Sequence, residues 1–192
     1  MKDTVYVFAR LPRLGAVKRR LARDLGDWVA LHFYRTTLAR TLRVLRADTR
    51  FTTVLAVTPD TARYAAIWPR GMARVAQGGG TLEHRMHRVF KRHRHGRVAI
   101  IGSDIPDITG HDVARAFKLL GRARACFGPA RDGGYWLVAL PPRRPETPFA
   151  NVRWSSEWAL RDTLANFNNG SVTLLRVLSD VDTGADLRAR NT

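Results

Sequence analysis

The sequence predicts an α/β protein with a mostly parallel sheet flanked by helices, and three observations predict it. Short apolar runs rich in β-branched and aromatic residues alternate along the 192 residues with longer segments of helical period. One run, Val98-Ala99-Ile100-Ile101, is wholly apolar and ends at Gly102-Ser103-Asp104-Ile105-Pro106, the pattern of a buried strand that delivers a carboxylate to its carboxyl end. The breaks between elements are short Gly/Pro turns, with no interdomain linker, internal repeat or low-complexity tract beyond an arginine bias, so one domain is expected over residues 1–192.

Taken in order, strands are expected at residues 4–9, 51–57, 73–76, 97–101, 123–127, 135–140 and 172–175, and helices at 17–25, 28–46, 61–66, 82–93, 110–120 and 157–167. The first strand enters directly from Thr4 and is stopped by Pro12-Arg13-Leu14-Gly15, which leads into a helix. In the fourth helix Met86, Val89 and Phe90 share one face of an otherwise basic segment. Cys126-Phe127-Gly128 begins as a strand, passes through Pro129-Ala130-Arg131-Asp132-Gly133-Gly134, and resumes as the apolar strand Tyr135-Trp136-Leu137-Val138-Ala139-Leu140. Pro141 to Pro148 holds four prolines and reads as a stiff surface loop.

Composition narrows the class. A 45% hydrophobic content is enough for one sizeable core, and no apolar run approaches the ~20 residues of a membrane-spanning helix or the pattern of a signal peptide, so a cytoplasmic protein is expected. The single cysteine, Cys126, excludes an internal disulfide and a cysteine-based metal cluster, and its apolar neighbours favour a buried thiol. The net charge of +17 is concentrated in residues 10–23 and in 84–97, a run that includes Arg94. Such a surface attracts polyanions, yet the run lacks an aromatic platform and any helix-turn-helix or zinc-finger pattern, so it reads as a solvated helical face rather than a nucleic-acid site. His84 and His87 lie one turn apart but have only Glu83 as an acidic neighbour, and a solvent-facing pair is the simpler reading.

Two motifs carry chemistry. Gly102 and Ser103 add almost no bulk, so a phosphate or a metal could approach the backbone beside Asp104, although the same carboxylate would equally well cap the following turn. Asp132-Gly133-Gly134 would by itself mark a hairpin connection. With Gly-Ser-Asp-x-Pro upstream, the spacing resembles a bacterial family of nucleotide-diphospho-sugar transferase-like proteins, long carried as a domain of unknown function, some of whose members are linked to arsenosugar biosynthesis. Guanylyltransferases of 2-phospho-lactate and of the molybdenum cofactor are more distant relatives. The resemblance runs in six ordered segments: Phe8 to Leu21, Gln77 to Met86, Gly102 to Asp107, Gly128 to Tyr135, Val152 to Ser155, and Asp180-Val181-Asp182-Thr183-Gly184-Ala185-Asp186-Leu187. The chain departs from the family pattern at Arg19, Thr81 and Glu83, where Thr, Asp and Gly are usual.

What the resemblance implies is a GT-A-like fold and a metal-dependent transferase using a nucleotide-activated donor. Asp104 and Asp182 would hold Mg2+ or Mn2+. Gly15, Lys18, Arg20, Gln77, Gly78, Arg85 and Ser103 would surround the nucleotide and its phosphates, with Lys18 also serving catalysis by stabilising charge. Asp132, Gly133, Gly134, Tyr135 and Trp154 would face the acceptor, with Asp132 binding or deprotonating its hydroxyl. Asp186 is expected to cap the last helix. The implied partners are a nucleoside-diphosphate sugar or a nucleoside triphosphate and a small-molecule acceptor, and a homodimer stays open. Glycosyl transfer leads and nucleotidyl transfer follows. From a different class, a catalytically silent nucleotide- or nucleic-acid-binding protein would fit the charge and the altered Gly-rich segment.

Overall fold

The computed structural model describes residues 2–93, 95–167 and 170–191; Arg94 of the basic run lies outside the described residues. Its seven strands are β1 (Thr4–Arg10), β2 (Thr52–Thr58), β3 (Arg74–Ala76), β4 (Val98–Ile101), β5 (Ala125–Pro129), β6 (Tyr135–Leu140) and β7 (Val172–Leu174), and its helices are α1 (Arg19–Leu25), α2 (Asp27–Ala47), α3 (Leu82–Arg92), α4 (Gly110–Leu119), α5 (Ala159–Ala165) and α6 (Gly184–Asn191). The strands form one sheet in the order β3-β2-β1-β4-β6-β5-β7. All neighbouring pairs are parallel except β4–β6 and β5–β6, where β6 runs against its neighbours.

Period-two alternation divides the strand residues between two cores. Val5, Val7, Leu55, Val57, Ala99, Ile101 and Leu137 pack with α2 and α4 on one face, whereas Tyr6, Val54, Ala56, Val98, Ile100, Phe127, Val138 and Leu140 pack with α3 and Phe149 on the other. Because both faces are covered, β4 is buried at all four residues and reads as a continuous apolar run.

The expected strands all occur, and the differences lie in helix ends. The helix expected at 61–66 is a 3-10 turn, Asp60–Tyr64, too short and too proline-bounded for an α-helical ladder. The helix expected from residue 17 begins at Arg19, because Val17 is buried and Lys18 adopts a left-handed conformation with φ 46°. The one expected at 157–167 is shortened to α5: Asn166 ends it, turning its side-chain amide to the carbonyls of Pro148 and Ala150 at 3.3 and 2.9 Å. In α6, Asp186 sits in the first turn and its Oδ2 accepts from the backbone N–H groups of Asp182 and Thr183 at 3.0 and 2.7 Å, the capping role expected of it.

This topology positions the site. Every parallel strand ends on the same edge of the sheet, and β6 starts there. The loops after β1, β2, β3, β4, β5 and β7, which carry the motifs, therefore converge on one edge.

Candidate active site

The centre of that edge is Lys18. Its ammonium bridges Asp104 Oδ2 and Asp182 Oδ1, each at 2.8 Å. The Lys18 side chain is only 4% exposed, while Asp104 and Asp182 keep 39% and 33% of theirs open to solvent. Burial works against the ammonium, but the two carboxylates outweigh it and hold its pKa above the ordinary lysine value. The left-handed turn at Lys18 directs this side chain inward at the mouth of α1. Arg20, two residues further on and mostly exposed, reaches Asp182 Oδ2 at 3.4 Å, a weak surface contact.

Asp104 follows β4 directly. Beside it, Ser103 is buried and its hydroxyl lies 3.0 Å from that of Tyr34, which also donates to the Arg10 carbonyl and accepts from the Arg10 N–H. Tyr34 thereby ties the ends of β1 and β4 to α2, and burial pushes its phenol up. The sequence reading did not single it out, since it sits among the core-facing positions of α2; a polar tip on that face was the available signal.

Asp180 belongs to the same C-terminal segment as Asp182, and the sequence by itself assigns it no role. Here its carboxyl is pushed up to about 6 by burial, with the charges of Asp182, Asp132 and Asp104 adding to the effect and Lys18 opposing it. Four carboxylates thus share one edge with one buried ammonium. Among the described residues no three metal-ligating side chains converge as a preformed cage. Two carboxylates with open faces are nevertheless the oxygen donors that Mg2+ or Mn2+ takes when substrate phosphates and water complete its shell, so Asp104 and Asp182 fit such an ion.

The Asp132 turn closes one side. Asp132 Oδ1 accepts from Gly134 N–H at 2.9 Å, leaving Oδ2 outside that hydrogen bond. Gly133 has φ +83°, and a Cβ there would meet the Glu157 carbonyl at 2.1 Å, so this position requires glycine. Tyr135 and Trp154 stand beside the turn and are partly exposed. Their rings meet edge-on at 6.3 Å and pack against the second core at Phe127 and Phe149, and burial pushes the Tyr135 phenol up.

The Gly-rich loop after β3 is held by its own helix. Gln77 is buried, donates to the carbonyls of Ala9 and Ala56, and accepts from Arg85, whose Nε donates to the Gly80 carbonyl at 3.0 Å. Arg88 donates to the carbonyls of Gln77 and Gly79. Gln77 and Arg85 therefore spend their polar atoms on the loop, and Gly78 N–H donates to Asp60. Gly15 takes a left-handed φ of +69° in the β1–α1 loop. Thr81 caps α3 and lies 2.7 Å from His84 Nδ1, while His84 and His87 are exposed as expected. Cys126 is fully buried, its thiol pushed up to about 12 by burial.

Comparison with known proteins follows the same lines. A family model described as uncharacterized protein conserved in bacteria (DUF2064) matches residues 41–156. A crystal structure from Desulfovibrio desulfuricans G20, provisionally assigned as a nucleotide-diphospho-sugar transferase, superposes with a TM-score of 0.90 at 29% identity over 99% of this chain and 87% of that one. Rv0371c from Mycobacterium tuberculosis H37Rv, solved as a manganese complex, gives 0.57 at 20% identity over 98% and 97%. The 4-diphosphocytidyl-2C-methyl-D-erythritol synthase of Anaerococcus prevotii DSM 20548 gives 0.61 at 13% identity over 99% and 96%. A search of curated proteins yields no match. The fold is accordingly that of nucleotide-diphospho-sugar transferases and cytidylyltransferases, and the expected GT-A-like α/β architecture holds.

Proposed function

The chain belongs to the bacterial family DUF2064, and from that membership and the Asp104–Lys18–Asp182 bridge we propose that it is a metal-dependent transferase of a nucleotide-activated donor, in the first place a glycosyltransferase using a nucleotide sugar. The whole chain acts as one domain in this reading. The observation that carries it is a surplus of carboxylates around a buried lysine at the carboxyl edge of a parallel sheet, in a chain otherwise strongly cationic.

Asp104 and Asp182 would hold Mg2+ or Mn2+, which would supply charge neutralisation for a departing diphosphate. Lys18, fixed between them, presents a permanent positive charge to donor phosphate oxygens. The Pro12-Arg13-Leu14-Gly15 turn and the backbone at Gly102-Ser103 admit those oxygens closely, and Arg20 adds an exposed cation at the entrance. Gln77, Gly78 and Arg85 shape the nucleotide side through the loop they hold. Asp132 takes the acceptor hydroxyl at its free Oδ2 and accepts its proton as the acceptor oxygen bonds to the sugar and the bond to the diphosphate breaks. Gly133 and Gly134 let the acceptor approach the backbone, and Tyr135 and Trp154 stiffen the turn.

Nucleotidyl transfer from a nucleoside triphosphate to a phosphorylated acceptor would use the same edge and is the second reading, supported by the Lys18 ammonium held as a fixed charge between Asp104 and Asp182. Product analysis separates the two. Release of nucleoside diphosphate from a panel of nucleotide sugars supports glycosyl transfer, release of pyrophosphate from nucleoside triphosphates supports the second reading, and binding of neither donor class contradicts both.

A further inference from the structure

Beside the candidate active site, the face carrying α2 holds a groove that shares Pro12 with the β1–α1 turn and whose other lining residues the chemistry above does not use. Trp28, Ile67, Trp68 and Pro69 give it apolar walls and Arg35 and Arg43 also line it, around a cavity of about 760 Å³. Trp28 is 74% exposed and Ile67 41%. Large apolar side chains left open together in this way mark an interaction surface.

The surrounding charge has one sign. Along α2 the exposed positions include Arg35, Arg40, Arg43 and Arg46, and the sole acid of the helix is Asp27 in its first turn. Arg46 donates to the Arg70 carbonyl, and Arg35 and Arg43 have no carboxylate partner among the described residues. A second copy seated on this face about a twofold axis would bring the same arginines against one another. A single-stranded nucleic acid would call for a row of stacking rings, whereas the walls are an isoleucine, a proline and two tryptophans of which one is buried. An exposed tryptophan and isoleucine beneath a fringe of arginines match the acyl boundary and the anionic headgroups of a lipid bilayer.

We propose that the α2 groove docks this protein peripherally on an anionic membrane surface, with Trp28 and Ile67 entering the interface and Arg35 and Arg43 meeting lipid phosphates. No helix among the described residues is long and apolar enough to cross a membrane.

Co-sedimentation of the full chain with phosphatidylcholine vesicles and with phosphatidylcholine/phosphatidylglycerol vesicles, at low and high salt, tests this. Binding is expected only to the anionic vesicles. The double variant Trp28→Ser/Ile67→Ser is expected to weaken it about tenfold with the salt dependence retained, and Arg35→Glu/Arg43→Glu to weaken it at least as much. A control of equal charge change on α4 and the turn that follows it, Arg115→Glu/Arg122→Glu, is expected to cost less than about threefold. Circular dichroism confirms that each variant is folded. Equal losses in the control and the α2 pair, or no effect of Trp28→Ser/Ile67→Ser, would show diffuse attraction of a cationic protein and overturn the proposal. So would homopolymeric RNA binding that depends on Trp28 while vesicles fail to bind.

Discussion

Asp180 gives the sharpest consequence of the crowded carboxylates. Among the described residues no donor hydrogen-bonds its side chain, and its pKa rises from 3.8 to about 6 through burial and the neighbouring charges of Asp182, Asp132 and Asp104. Between those two values the folded state binds a proton that the unfolded state has released, so stability falls as pH rises through the window. Above it, the full penalty persists. The unscreened shift corresponds to about 3 kcal/mol at 1.36 kcal/mol per unit, and discounting for partial solvent access leaves about 1 kcal/mol. Asp180→Asn removes the charge and keeps the shape. Urea unfolding should therefore show the variant more stable than the parent by about 1 kcal/mol at pH 8 and equal to it near pH 4. Saturating Mn2+ should shrink the pH 8 difference, because a cation held by Asp104 and Asp182 relieves the same repulsion. A variant that is no more stable than the parent at pH 8 would refute the electrostatic reasoning.

Two further perturbations test separate parts of the site. Gly133→Ala places a methyl group 2.1 Å from the Glu157 carbonyl at a left-handed φ, and should cost at least about 2 kcal/mol in thermal or chemical unfolding while shifting the Asp132 turn. Lys18→Ala should weaken nucleoside-diphosphate binding by about tenfold or more in calorimetry, whereas Lys91→Ala, exposed in the last turn of α3, should change it less than about threefold. Equal losses would mean that phosphate attraction is spread over the whole cationic surface.

The sheet was largely legible because its strands are short apolar runs bounded by Gly and Pro, a pattern that burial on both faces makes nearly continuous at Val98–Ile101. Helix ends were less so, since they depend on tertiary partners: α5 ends where Asn166 finds the carbonyls of Pro148 and Ala150, and α1 starts late because Lys18 is drawn toward Asp104 and Asp182. Strand-end placement points to Asp104 and the resemblance adds Asp182 and Lys18, but the pairing of the Lys18 ammonium with both carboxylates joins three segments distant in sequence and is seen only in the fold. Tyr34 escaped notice because its hydrogen bonds join three elements distant in sequence. The packing role of Tyr135 and Trp154 depends on Phe127 and Phe149, which local sequence does not bring beside them.

The central claim is that Asp104 and Asp182 bind a divalent ion that nucleotide binding requires. Calorimetric titration of nucleoside diphosphate into the parent and into Asp104→Ala, each with Mn2+ and with chelator, tests it most directly. The account predicts binding in the parent that falls at least about tenfold on chelation, and a folded Asp104→Ala variant whose weaker binding no longer responds to Mn2+. Unchanged affinity and unchanged Mn2+ dependence in Asp104→Ala would contradict it.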